Sequence, residues 1–161
     1  MHSLRSPARF ALTALFAFTS SFTVRAETTE PTKATAPKQS GSMVIDWEKL
    51  TPKPTKIGER RDVFDGPTRT LTNLESHITT LNPGESPHAP HRHPDEEMIV
   101  VKTGTVEVTI NGESQRAGPG SIFFFASNDL HGMKNVGLVP ATYFVFRFLT
   151  AATPKAEPAA K

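Results

Sequence analysis

The chain has no cysteine. That absence excludes a disulfide framework and a thiolate ligand set, and it argues against an iron–sulfur or copper(I) centre. Stability must come from a packed core, and any metal must be held by nitrogen and oxygen. Nowhere after residue 26 is there an apolar run long enough to cross a bilayer. Fixed-period repeats are absent, and helical periodicity is missing almost everywhere, which leaves short β-rich runs as the material of the fold. An excess of positive charge is also lacking. The formal charge is +2, but three of the arginines, Arg5, Arg9 and Arg25, lie in the first 26 residues. Without that segment 15 basic residues face 16 acidic ones. Such a protein has no electrostatic reason to capture nucleic acid or an anionic membrane.

Those first 26 residues read as an export signal. Arg5 and Arg9 precede the apolar run ALTALFAFTSSFTV, and Val24-Arg25-Ala26 supplies the small residues of a cleavage site before Glu27. No Arg-Arg pair precedes the run, which favours a Sec-type route and a periplasmic or secreted protein. Residues 27–44, rich in Thr, Pro, Lys, Ala and Ser, read as a flexible linker, and residues 151–161 as a flexible tail. One domain, residues 45–150, lies between them.

Inside the domain, turn signals punctuate extended runs. Arg69 to Leu81 reads as a strand ending at Asn82-Pro83-Gly84, and Glu97 to Val101 as the next. Thr105 to Ile110 alternates with period two and meets Asn111-Gly112, the signature of a tight hairpin, with Glu113 to Arg116 as its partner. Ser121 to Phe125 and Tyr143 to Leu149 complete an all-β, antiparallel reading.

The stretch PHAPHRHPDEEMIVVKTG, residues 87–104, crowds three of the six histidines against the start of a strand. In an extended chain His91 and His93 leave the same face, as a shared metal requires. Glu97 has the same parity, although Pro94 interrupts the pattern and leaves Glu96 and Glu97 both open.

Gly84 and His91-x-His93-x-x-x-Glu97-x-x-x-x-x-x-Gly104 resemble the first motif of the cupin superfamily. One hairpin later, Ala126-Ser127-Asn128-Asp129-Leu130-His131-Gly132-Met133-Lys134-Asn135 resembles the second motif, with His131 and Asn135 matching, Ala126 in place of proline and Asn128 in place of glycine. Asparagine tolerates the left-handed backbone that such a turn needs. The resemblance implies a jelly-roll β-barrel in which His91, His93, Glu97 and His131 hold one divalent metal ion, Mn, Fe, Zn or Ni, with two coordination positions left for water or a small-molecule ligand.

Other residues are weighed against plain structural roles. His88 reads as a surface group or a hydrogen-bond support for a ligand, and His77 as a structural histidine before a cavity residue. Asp95 and Glu96 read as solvated loop acids that would otherwise support a ligating imidazole. Glu96, His88 and Tyr143 are candidate acid–base groups wherever geometry brings them near the metal, and Asn135 joins them as a candidate for the cavity or its support. In the last strand Tyr143, Val145 and Arg147 share one face and Phe144, Phe146 and Phe148 the other. The cost of burying an unpaired guanidinium favours the Phe face inside and Arg147 outside. The apolar surplus fits a homodimer and fits a thick core equally. The functional expectation is a metalloenzyme acting on a polar small molecule, with oxygenase, isomerase, lyase and hydrolase chemistry all open. The alternative is a binding module that captures a ligand without turning it over.

Overall fold

The computed structural model describes residues 39–155. The segment expected to be an export signal and most of the expected linker, like the expected tail from residue 156, lie outside them. Nine strands form among the described residues: β1 Lys53–Thr55, β2 Gly58–Gly66, β3 Asn73–Leu81, β4 Glu96–Thr103, β5 Val106–Ile110, β6 Glu113–Ala117, β7 Ile122–Phe125, β8 His131–Asn135 and β9 Ala141–Leu149. They assemble into a six-stranded sheet of order β1-β2-β3-β9-β4-β7 and a three-stranded sheet of order β6-β5-β8. Every pairing is antiparallel. The all-β jelly roll expected from the sequence is the fold observed. No helix among the described residues is long and apolar enough to cross a membrane.

Period-two alternation explains β5: Val106 and Val108 enter the core while Glu107 and Thr109 stay half-exposed. Its hairpin to β6 turns on Asn111 and Gly112, whose φ values of 49° and 93° are the two left-handed positions that a type I′ turn requires. The core joins Leu81, Ile99, Val101, Val106, Val108, Phe125, Met133, Ala141, Tyr143 and Val145 between the sheets.

Three strands escaped the sequence reading. β1 contains a proline, β2 carries five charged residues among nine, and β8 has one large apolar residue. Each is a strand because a neighbour supplies its hydrogen-bond ladder, not because of its own pattern. β3 starts at Asn73, later than Arg69, because Thr68 closes a turn: its amide donates to the Leu71 carbonyl and its hydroxyl accepts from the Leu71 amide.

The last strand faces opposite to expectation. Tyr143 and Val145 are buried, Arg147 lines an internal cavity, and Phe144, Phe146 and Phe148 lie half-buried on the outer face. Two contacts remove the penalty that argued against this arrangement. Arg147 finds a buried partner, Asp95, and the outer face gains cover from a short 3₁₀ turn, Trp47–Lys49, whose Trp47 ring packs edge-on against Phe144 at 6.1 Å between centroids. Lys102 Nζ sits 3.2 Å from the centre of the same indole, a cation–π contact that holds the turn down.

Gly104, between β4 and β5, has φ +83°, and a Cβ added there would lie 2.5 Å from the Ala141 Cα. Gly104→Ala therefore combines backbone strain with a collision against main chain, and a loss of about 3 kcal/mol or more is expected. Gly112→Ala, at φ +93° but in open space, should lose only about 1 kcal/mol. Urea midpoints of the two variants compare them directly.

Candidate metal centre

Backbone pairing places the histidines. The loop between β3 and β4 is stitched to β8 by His91 N to His131 O at 2.9 Å and His131 N to His91 O at 3.0 Å, while Asn128 N donates to His93 O at 2.8 Å. Asn128 holds φ 63° at this point, the left-handed position for which asparagine is the best substitute for glycine.

His91, His93 and His131 each offer one ring nitrogen, and these atoms lie within 4.8 Å of one another. Glu97 Oε2 is 3.3 Å from His93 Nε2. The register decides between the two glutamates: Glu97 pairs with Arg147 on the cavity side, whereas Glu96 pairs with Phe148 and is exposed. His93 Nδ1 bonds to the Asp95 carbonyl and His131 Nδ1 to the Asp129 carbonyl, both at 2.8 Å. A carbonyl only accepts, so Nδ1 carries the hydrogen in both rings and the other nitrogen is left for a ligand. The His131 ring lies flat on Phe125, 4.2 Å between centroids and 10° from parallel, which fixes its plane.

The donor set suits a metal on a second ground. His91 Nδ1, His93 Nε2 and His131 Nε2 are buried with no hydrogen-bond partner. Each such atom ordinarily costs about 1–3 kcal/mol, and three of them converging beside a carboxylate is the arrangement that a divalent cation satisfies. Three imidazoles and one carboxylate fit Mn, Fe, Ni or Zn.

Burial and the neighbouring imidazoles push His91 down to about 4, and burial with His93 close by also lowers His131. Burial opposes a charge on His93 as well, but the facing carboxylates of Glu97 and Asp95 outweigh it and raise its value. Where His93 is still protonated, metal binding must displace its proton, whereas burial favours the neutral form of His91 and His131. Affinity is expected to rise with pH until His93 deprotonates, with release of about one proton per ion below that point and fewer above it. Calorimetry in buffers of different ionisation enthalpy measures that number.

The cluster opens into a cavity of about 340 Å³ between the sheets, at the small end of the usual range for small-molecule sites, about 300–1,000 Å³. His88 lines it, with Nδ1 on the Ala89 carbonyl at 3.0 Å and its ring 4.0 Å from the His91 ring. His77 is also in the wall, its Nδ1 held by Glu75 Oε1 at 2.8 Å, and Glu75 is gripped in turn by Arg60 at 2.9 Å. Tyr143 faces the cavity, and burial raises its hydroxyl above the usual phenol value, so it stays protonated. Asn135 does not line the cavity. It is fully buried in a structural knot, donating to the Leu81 and Val139 carbonyls and accepting from the Gly137 amide, each at 2.9 Å. Asp95 is no solvated loop acid: it is 2% exposed, because Arg147 crosses from β9 to neutralise it. The sequence reading missed Arg60 and Thr79, which also line the cavity, and Glu75, which holds His77. The parity shared by Arg147, Tyr143 and Val145, with an acid available in the ligand loop, was the signal that could have placed Arg147 inside.

A family model described as Cupin domain matches residues 77–147. No curated protein matches the chain. Among solved structures, the polyketide cyclase RemF from Streptomyces resistomycificus superposes with a TM-score of 0.57 at 16% identity, over 75% of this chain and 87% of that one. An RmlC-like cupin from Shewanella frigidimarina gives 0.57 at 15%, over 71% and 97%. KdgF from Halomonas sp. gives 0.55 at 22%, over 67% and 94%. At such identities the likeness is one of fold. Together with the family match, it shows a cupin domain over residues 77–147 on a cupin fold.

Proposed function

We propose that His91, His93, Glu97 and His131 hold one divalent metal ion, of the Mn, Fe, Ni or Zn class, and that the protein is a metal-dependent enzyme acting on a small polar molecule in the cavity. The observation that carries this reading is the convergence of three buried ring nitrogens without partners. An ion so held supplies Lewis acidity or an activated water at neutral pH. The chain supplies the rest. The Asp95 and Asp129 carbonyls fix the His93 and His131 rings. Ile99, Phe125, Met133 and Val145 form an apolar wall that thins out water. The protonated Tyr143 hydroxyl is available as a donor, and His77, held through Nδ1 by Glu75, lines the same cavity.

The reading includes export, supported by the charged-then-apolar pattern of residues 1–26, and a second copy as partner, supported by Ile122 and Phe124, 63% and 55% exposed on the edge strand β7. Intact-mass analysis of protein from the producing cell should find a chain beginning at Glu27, and light scattering should find twice the chain mass; a monomer would remove the dimer from the proposal. The central test is elemental analysis of the untagged protein, followed by a substrate screen. About one ion per chain and metal-dependent turnover are expected. A folded protein that takes up no divalent metal would overturn the assignment, and a metal-loaded protein that binds ligands unchanged would make it a binding module.

A further inference from the structure

The cavity has a second charged feature besides the histidines. Arg147 donates from Nε and Nη2 to the two carboxylate oxygens of Asp95, at 2.6 and 2.9 Å. This pairing uses one edge of the guanidinium and fixes its plane. The other edge, one N–H from each of Nη1 and Nη2, has no acceptor among the described residues and is spaced to meet two oxygens of one carboxylate. Arg147 pairs in register with Glu97 across β4, and its Nε is 3.9 Å from Glu97 Oε2. Arg147 thus lines the same cavity as the histidine cluster, within reach of a ligand held there.

Charge points the same way. Arg60 is balanced by Glu75, the cross-strand neighbour of Arg147 on β3. Near the histidines, Arg147 and a divalent ion would contribute three positive charges against the two of Asp95 and Glu97. A single positive surplus in a half-enclosed space attracts an anion and penalises a cation.

We infer that the cavity takes a small carboxylate-bearing ligand, with its carboxylate on the free edge of Arg147 and the rest of the molecule directed at the histidine cluster. The inference rests on the metal reading for the charge surplus but on Arg147 alone for the recognising group. A volume of about 340 Å³ limits the ligand to a compact organic acid.

Calorimetric titration of zinc-loaded protein with malonate, acetate and neutral acetamide tests it, with the metal content of each sample measured by elemental analysis. Wild type should bind malonate and acetate at least about tenfold more tightly than acetamide. Arg147→Lys, which keeps the charge and loses the fork, should weaken both acids by about tenfold. The double variant Asp95→Asn/Arg147→Met, which removes the buried pair together and so avoids a stranded charge, should weaken them further while keeping its zinc. Equal affinity for acetate and acetamide, or unchanged malonate binding in the double variant, would overturn the inference. A wild type without zinc would sink the metal reading alone. Malonate titrated into that protein would still decide the role of Arg147: binding lost in the double variant upholds it, and no binding by wild type overturns it.

Discussion

His91→Ala protein is expected to fold as wild type does and to hold no stoichiometric metal. The side chain suits the test because its Nδ1 is buried without a partner and its aromatic neighbours are the rings of His88, His93 and His131. The backbone pairing of residue 91 with His131 does not depend on the side chain. Removing the ring thus costs packing and relieves an unsatisfied atom, for a net change within about 1 kcal/mol in the metal-free state. The metal-bound state should respond quite differently. A ligand that binds only the folded form stabilises it by about 2.7 kcal/mol at a hundredfold excess over Kd, which for a domain of this size raises Tm by about 10 °C or more. Wild type should show that rise with at least one of Mn, Fe, Ni or Zn, and His91→Ala should show little of it. Thermal scans with and without metal, set beside elemental analysis, read both quantities. Full metal occupancy in the variant would mean that the ligand set is wrong.

How much of this was legible in the sequence follows from range. Local signals worked where the physics is local: Asn111-Gly112 dictates its own turn, and Val106 and Val108 declare their face through alternation with Glu107 and Thr109. The spacing of His91, His93 and Glu97 could be seen because three of the four candidate ligands lie within seven residues, and His131 entered through a second motif. What failed was long-range. β2 is a strand through its partner β3, which receives Arg60 at Glu75, and nothing in GERRDVFDG announces it. The facing of β9 turned on whether Arg147 had a buried partner 52 residues away, and on whether a tryptophan nearly a hundred residues upstream covered the Phe stripe. Period-two alternation offers two faces and cannot choose when both are apolar enough to be buried.

The same pair supplies the largest expected loss of stability near the site. Arg147→Met should destabilise the fold by about 3 kcal/mol, because it strands the Asp95 carboxylate, 2% exposed, in a space shaped for an ion pair. The Arg147 side chain is itself 35% exposed, so water entering from the cavity will solvate part of the stranded charge and hold the loss to the lower end of the range for broken buried pairs. Asp95→Asn/Arg147→Met removes both charges and should recover most of the loss, a coupling that a double-mutant cycle in urea would measure. The pH dependence has a definite sign. Burial would raise the Asp95 carboxyl, but the hydrogen bonds and charge of Arg147 outweigh it and hold it below the usual carboxylate value. A group depressed on folding contributes stability that is fully present above its unfolded value and is lost as pH falls through its folded one. Wild type should therefore lose this contribution only below the ordinary carboxylate range. In Arg147→Met burial, the largest influence, is opposed only by His93 and a backbone hydrogen bond, so the carboxyl rises, and the variant should gain stability relative to wild type as the pH falls through the ordinary carboxylate range. Urea midpoints of the two proteins should then converge from neutral pH toward about pH 4. Parallel curves would show that Asp95 is not held ionised by Arg147, and would remove the fixed guanidinium on which carboxylate recognition depends.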